Sequence, residues 1–178
     1  MNKIISSGFT LLEMLVVVII LGVVATVTLP LLNSNDPQKL QVAAEESANA
    51  LRFALSEAKR TGGYILVDGK STTGHLKLYY SNSSGNLNTA ILDPLTKRAL
   101  DINVATGAFT SGVTLTPQFM AGGSAKKKLL IGPGITQMQG FDSATEGILQ
   151  ANSGVLLNLG SQSVMVKIDQ TSGLVTLP

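Results

Sequence analysis

One apolar stretch near the N-terminus constrains this chain more than any other feature of its sequence. From residue 9 to residue 32 the only charged side chain is that of Glu13. A helix of these 24 residues is about 36 Å long, whereas the hydrocarbon core of a bilayer is about 30 Å thick. The stretch therefore predicts a helix that crosses a membrane, and Lys3 ahead of it favours a cytoplasmic N-terminus.

The composition of the chain excludes several other classes of protein. Its 178 residues fit one domain with a moderate core, and a hydrophobic content of 44% excludes global disorder. The absence of cysteine excludes a disulfide scaffold, a thiolate zinc site and a cysteine nucleophile. A net charge of +2 is too small to indicate nucleic acid as the main partner.

An amphipathic helix is predicted after the apolar stretch. Asp36 followed by Pro37 is a typical helix start, because aspartate caps free N–H groups and proline suits the first helical position. Gly62, after two basic residues, indicates the end of the helix. Between these points apolar residues recur at steps of three and four, the spacing of one helix face: Leu40, Ala44, Ala48, Leu51, Leu55 and Ala58.

Two more apolar residues of this helix lie away from that face. At about 100° per residue, Val42 and Phe53 are nearly opposite the main stripe. Single exposed apolar side chains are common in soluble domains, so two interpretations stay open. This second side of the helix is either ordinary solvent-exposed surface or a surface that binds a partner.

The remainder of the chain, residues 62–178, has the pattern of a β-rich domain. It holds 16 of the 18 glycines, and its apolar runs are short and often alternate with polar residues. Such runs between Gly, Asn, Asp and Ser predict antiparallel strands, the last two forming a terminal hairpin around residues 169–173. The predicted strands cover residues 64–67, 75–80, 99–104, 113–119, 129–131, 154–159, 164–168 and 174–177.

An ordinary secretory signal peptide is the alternative interpretation of the first thirty residues. Val23, Val24 and Ala25 provide an acceptable cleavage site, which would leave a chain that starts at Thr26. Against this, Glu13 would cost at least about 2.5–3.5 kcal/mol in a bilayer, and an export signal gains nothing from it. A carboxylate in such a segment indicates a functional site that needs a partner.

The same residues resemble a known family. Gly8-Phe9-Thr10-Leu11-Leu12-Glu13, followed by an apolar run and Pro30, resembles the N-terminus of type IV pilins and pseudopilins. The resemblance implies that residues 1–8 are a leader, that prepilin peptidase cleaves between Gly8 and Phe9, and that Phe9 is then N-methylated. It also implies that Glu13 acts in filament assembly and that Pro30 is the helix-breaking proline.

The resemblance also implies an architecture, a location and partners. The expected fold class is α+β: a transmembrane and filament-core helix (9–32) continues into an amphipathic half (33–61), which packs on an antiparallel β-rich head (62–178). The protein would cross the bacterial inner membrane once, with its head in the periplasm, and enter a pseudopilus or pilus. Its expected partners are prepilin peptidase, other pilins or pseudopilins and the inner-membrane assembly platform. No enzymatic activity, cofactor or metal is expected.

A second, less complete resemblance concerns the amphipathic helix. Residues 51–62 resemble the corresponding segment of the group formed by minor pseudopilin H and the minor pilins FimT and FimU, although Leu55 stands where an arginine is common. This favours a minor pseudopilin or minor pilin of a type II secretion system or a type IV pilus. Many major pilins close a C-terminal loop with a disulfide, which a chain without cysteine cannot do.

Two alternative functions remain at this point. Lys126, Lys127 and Lys128 would contact phosphates if the chain were a DNA-uptake minor pilin, whereas an exposed loop or a guard on an edge strand explains the same run. The second alternative is that the chain is an unrelated exported β-rich binding protein. The single histidine, His75, and the pair Asp142 and Glu146 are interpreted as structural, because neither is surrounded by the ligands that a catalytic or calcium site needs.

Overall fold

The computed structural model describes residues 11–32, 36–133, 138–142 and 146–177, and the side chains of all of these except 25–32 and 146. The chain divides into two compact units, Met1–Asp36 and Pro37–Pro178. The described residues form two helices and eleven strands. The predicted α+β class is confirmed, and the arrangement is compatible with a pilin fold.

The first unit contains helix α1, Leu11–Leu32. Its described side chains, from Leu11 to Val24, are exposed. The helix includes Pro30 and ends two residues later. Within the described residues, no helix has both the length and the apolar character of a candidate membrane span. The membrane crossing and the helix-breaking role of Pro30 stay predictions, as does the continuity of the two helices, because residues 33–35 lie outside the described part.

Helix α2, Asp36–Thr61, confirms the predicted amphipathic helix. All six residues of the predicted stripe are buried, but the buried side of the helix is wider than the stripe. It also includes Ala43, Ser47, Ala50, Ala54 and Glu57. The helix ends where the sequence predicted, because Gly62 adopts a φ of 62° and its N–H donates to the Ala58 carbonyl at 3.0 Å.

The strands form two antiparallel sheets. One sheet has the order β3-β2-β1-β6-β7-β8 and the other the order β11-β10-β9-β4-β5. Their bounds are β1 Tyr64–Asp68, β2 His75–Ser81, β3 Asp101–Asn103, β4 Thr114–Ala121, β5 Ser124–Lys126, β6 Lys128–Ile131, β7 Gln139–Phe141, β8 Glu146–Ile148, β9 Ser153–Leu159, β10 Gln162–Ile168 and β11 Val175–Thr176. All eight predicted strands are present, including the terminal hairpin of β10 and β11. Strands β5, β7 and β8 were not predicted.

A single apolar core joins α2 to both sheets. It contains Leu51 from α2, Ile65 and Leu78 from the larger sheet, and Leu115 and Leu157 from the smaller one. Burial of this many aliphatic side chains, at about 1.5–3 kcal/mol each, is the main stabilising contribution to the second unit. The helix is therefore held by its packed face rather than by helix propensity alone.

The smaller sheet depends on one glycine in its interior. Gly154 lies on β9 between β4 and β10, opposite Gln118 on one side and Lys167 on the other. A Cβ atom at this position would overlap the carbonyl oxygen of Val166. The glycine therefore permits a close backbone approach that no side chain would allow.

The packing predicts the effect of a charge in the core. We expect Leu51→Asp to lower the free energy of unfolding of residues 37–178 by about 3–5 kcal/mol, because it removes a buried aliphatic side chain and buries a carboxylate. Leu51 is fully buried, whereas Leu95 is 91% exposed. Leu95→Asp is therefore the matched control and should change stability by less than about 0.5 kcal/mol. Urea unfolding followed by circular dichroism measures both, and equal midpoints for the two variants would show that the packed face is misassigned.

Candidate functional site

The predicted processing site lies just before the first residue that the structure describes. Gly8 and Phe9 are outside the described residues, so cleavage and N-methylation there stay predictions. Glu13 lies in the first turn of α1, where the helix dipole favours a negative charge. It is the only acidic residue of α1, and no basic residue lies in the last turn of that helix.

The surface around Glu13 is apolar on every side of the helix. Leu12, Met14 and Val17 point in different directions around the helix axis, and they are 70%, 59% and 44% exposed. A helix that is hydrophobic all round is normally buried, either in a protein core or in a membrane. The described part of this helix thus presents apolar side chains on every side.

The three consecutive lysines do not form one exposed basic surface. Lys126 ends β5 and is buried, Lys127 is exposed, and Lys128 begins β6 and is half-buried. The Lys128 ammonium lies 3.7 Å from a carboxylate oxygen of Asp68 and 5.8 Å from the centre of the Phe141 ring. The lysines therefore have different surroundings, and Lys128 belongs to an internal ion pair.

Asp68, the partner of Lys128, is a buried carboxylate. It ends β1 directly opposite Lys128 in the ladder between β1 and β6. Its oxygens accept hydrogen bonds from the backbone N–H groups of Lys70, at 2.8 Å, and Ser71, at 3.1 Å, and from the Ser71 hydroxyl. Burial alone would raise the pKa of Asp68, but these hydrogen bonds and the Lys128 charge together hold that pKa below its ordinary value.

Two other polar residues that the sequence singled out, His75 and Asp142, have structural partners. His75 on β2 lies with its Nδ1 atom 2.8 Å from a carboxylate oxygen of Asp101 on β3, and the Lys77 ammonium lies 3.6 Å from the other oxygen. Asp142 accepts a hydrogen bond from the Lys127 backbone N–H at 3.0 Å. The Glu146 side chain is outside the described part. Within that part, no group of three or more potential metal-ligating side chains lies together.

The sequence did not predict a polar cluster that ties α2 to the larger sheet. Arg60 donates to the buried Glu57 carboxylate from Nε at 2.8 Å and from Nη2 at 2.5 Å, and the Tyr80 hydroxyl on β2 donates to it at 2.6 Å. The Arg60 hydrogen bond is the main cause that holds the pKa of Glu57 below its ordinary value, and the same contact raises the pKa of Arg60. The hydrogen bond to Glu57 raises the pKa of the Tyr80 hydroxyl.

A groove beside α2 is the other feature that the sequence indicated only weakly. Glu46, Asn49, Ala50 and Phe53 share one face of α2 and form one wall of it. Residues between 93 and 107 form the other wall, and the groove has a volume of 740 Å³. Phe53, one of the two apolar residues outside the main stripe, is half-buried here.

The N-terminal segment also matches a known family of sequences. Residues 5–29 match the family described as the prokaryotic N-terminal methylation motif. This match supports a type IV pilin-like family. The matched range contains Gly8, Phe9 and Glu13 and ends one residue before Pro30. No significant match to the chain is found among curated proteins or among solved structures.

The surroundings of Asp68 predict a pH dependence of stability. Because its folded pKa lies below the ordinary value of 3.8, the stability it contributes is present above that value and is lost as the pH falls through the folded pKa. We expect Asp68→Asn to lower the free energy of unfolding of residues 37–178 by about 1–3 kcal/mol at pH 7, since charged hydrogen bonds are lost. The difference from the unsubstituted protein should shrink as the pH falls below about 4.

Urea unfolding between pH 7 and pH 2 measures this difference. Glu45→Gln is the control, because Glu45 is exposed and its carboxylate accepts only a 3.4 Å hydrogen bond from Gln41. It should leave the stability within about 0.5 kcal/mol at neutral pH. A constant difference between Asp68→Asn and the unsubstituted protein at every pH would contradict the assigned ionisation of Asp68.

Proposed function

We propose that the chain is a minor pseudopilin or minor pilin, a structural subunit of a type II secretion pseudopilus or a type IV pilus. The observation that carries the proposal is the methylation motif at residues 5–29. In pilin-like proteins this motif implies processing by prepilin peptidase and assembly with other pilins. The proposed role is structural rather than catalytic, and it assists either protein secretion across the outer membrane or pilus assembly.

The apolar surface of α1 supports the membrane part of the proposal. Its exposed side chains, from Leu11 to Val24, offer no polar face to water. Before assembly the helix would lie in the inner membrane, with the second unit in the periplasm. After assembly the same surface would be covered by the helices of neighbouring subunits in the filament core. Assembly would therefore move the helix from one apolar environment to another, so that little of its apolar surface would contact water at any stage.

Glu13 would guide the step between these two states. Cleavage after Gly8 creates a cationic α-amine on Phe9, four positions ahead of Glu13 and about 6 Å away along a helix axis. An unpaired carboxylate among packed apolar helices costs several kcal/mol, and a neighbouring α-amine removes much of that cost. Pairing between Glu13 of one subunit and the Phe9 amine of another would therefore favour a single axial register.

The amphipathic helix supports a minor rather than a major subunit. Its last turns, residues 51–62, carry the resemblance to minor pseudopilin H and to FimT and FimU. The departure from that resemblance has a physical explanation, because Leu55 is buried in the core and an arginine there would bury a charge. The DNA-uptake alternative gains no support from the lysines, since Lys127 alone among them is exposed.

Processing is tested on the full chain in the cells that produce it. Intact-mass measurement and N-terminal sequencing of the membrane-extracted protein should find a chain that begins at N-methylated Phe9. A chain that begins at Thr26 would indicate ordinary signal-peptide removal, and it would lack Glu13. That result would contradict the proposed function and leave an exported β-rich domain.

The assembly role of Glu13 is tested by substitution. We expect Glu13→Ala to lower incorporation into filaments about tenfold or more. The substitution removes the pairing with the Phe9 amine, and a loss of about 1.4 kcal/mol of pairing energy already corresponds to a factor of ten. Leu12→Ala is the matched control, since it shortens an adjacent exposed side chain and leaves the charge in place. Quantitative immunoblots of sheared filaments and of membranes measure incorporation and cleavage separately. Normal incorporation of cleaved Glu13→Ala protein would show that the carboxylate does not guide assembly.

A further inference from the structure

The buried Asp68 is followed by a glycine, and this pair has a chemistry of its own. Asp68-Gly69 is the only Asp–Gly pair in the sequence, which contains no Asn–Gly pair. In a flexible peptide such a pair is reactive, because glycine has no side chain to hinder the approach of its nitrogen to the aspartate carboxyl carbon. Closure of a five-membered succinimide ring, followed by hydrolysis, converts the aspartate into isoaspartate.

The packing of the head requires a glycine at position 69. Gly69 is buried directly after β1, and a Cβ atom there would overlap the ring of Pro117 on β4. The same atom would lie only 3.1 Å from the carbonyl oxygen of Lys127. A side chain at this position would therefore force the end of β1 away from its neighbours.

The charge of Lys128 requires an acidic residue at position 68. Asp68 is 1% exposed, and the Lys128 ammonium, on a side chain that is 14% exposed, lies 3.7 Å from its carboxylate. An uncharged residue in place of Asp68 would leave a largely buried ammonium without this partner, which is costly. A stable head thus needs a pair of residues that is reactive whenever the chain is unfolded.

Contacts in the folded state oppose ring closure at both reacting groups. The Gly69 N–H donates to the Lys127 carbonyl at 3.0 Å, and this hydrogen bond has to break before the nitrogen can lose its proton and attack. The Asp68 carboxylate accepts hydrogen bonds from two backbone N–H groups and from the Ser71 hydroxyl. These donors and the Lys128 charge favour the ionised carboxylate, which is a poorer electrophile than the protonated acid.

We propose that Asp68-Gly69 is a modification site at which isoaspartate forms only when β1 separates from β6. In the open state the Gly69 nitrogen gives its proton to a base in the solvent and attacks Cγ of the protonated Asp68 carboxyl group. The new N–C bond replaces the C–OH bond, and the hydroxyl group leaves as water, taking up one proton. Water then opens the succinimide, and opening at the main-chain carbonyl gives isoaspartate.

The modification removes the contacts that hold β1 to β6. Isoaspartate adds one methylene group to the main chain and displaces the carboxylate, so that the pair with Lys128 and the hydrogen bonds at the end of β1 are lost. A head that has opened and reacted is therefore permanently less stable. The inference concerns the second unit alone and does not rest on the proposed function.

Rates of isoaspartate formation in the full chain test this proposal. The detergent-extracted protein is incubated at neutral pH with and without urea that unfolds the head, and peptide mapping with electron-transfer fragmentation locates isoaspartate. We expect it at residue 68, at a rate at least about tenfold lower in the folded chain, which corresponds to an opening energy of about 1.4 kcal/mol or more. Asp68→Glu would need a larger ring, and as the assay control it should give no such product.

Two lysine substitutions test the role of the contacts between the strands. Lys128→Ala should raise the rate in the folded chain about fivefold or more, because it breaks the ion pair with Asp68. Lys127→Ala is the matched control, since it removes an exposed side chain and keeps the carbonyl that accepts from Gly69. In urea both variants should react at the rate of the unsubstituted chain.

A milder substitution keeps the test valid if Lys128→Ala does not fold. Circular dichroism before incubation shows whether each variant is folded. Ser71→Ala removes one hydrogen bond to Asp68 and leaves the ion pair in place, and it should also raise the rate relative to Lys127→Ala.

Three results would overturn the proposal. Equal rates in the folded and the unfolded chain would show that the fold does not protect the site. Absence of isoaspartate at residue 68 in urea would show that the site is not reactive. Equal rates for Lys127→Ala and the folded test variant would show that the contacts of Asp68 do not control the reaction.

Discussion

The structure of the second unit depends on the burial of one broad face of α2. Six of the buried residues on this helix are alanines, which allow other side chains to approach the helix backbone closely. Aliphatic residues from both sheets meet this face in one core. Because protein interiors are close-packed, the strand side chains that pack in this core have to be apolar and to fit the helix face.

Polar contacts from the second half of α2 complete this arrangement. The Arg52 guanidinium donates to the Val175 carbonyl on the last strand at 3.1 Å, which fixes the C-terminal hairpin to the helix. Near the end of the helix, the buried Glu57 carboxylate joins Arg60 to Tyr80 on β2. Such buried groups stabilise a structure only when their partners are in place. The hairpin and β2 are therefore positioned by the helix.

Local patterns allowed much of this fold to be predicted from the sequence. The stripe from Leu40 to Ala58 and the Gly62 stop follow from helix periodicity and capping, which act within a few residues. The strands with alternating apolar residues were predicted for the same reason. Strand β5 was missed because Ser124, Ala125 and Lys126 lack that alternation, and β7 contains only three residues.

Long-range contacts are what the sequence did not reveal. Lys126, Lys127 and Lys128 are adjacent in the sequence. Lys126 ends β5 and Lys128 begins β6, so the three side chains have different surroundings. Lys128 meets Asp68 only because β1 pairs with β6. In the same way, Phe53 was recognised as lying outside the main stripe, but Asp93 and Leu95 could be placed beside it only once the structure of residues 93–107 was known. The N-terminal motif was found because its residues are consecutive.

The two units present opposite physical properties. The second unit buries its apolar residues in its own core and keeps its surface polar apart from a few positions such as Leu95. In α1 the apolar side chains from Leu11 to Val24 are exposed on every side. A transfer of that helix between apolar environments would leave the contacts within the head unchanged, because the core that stabilises the head lies between Pro37 and the C-terminus. Under the proposed function, Glu13 would be the one charge that gives the apolar helix a preferred register.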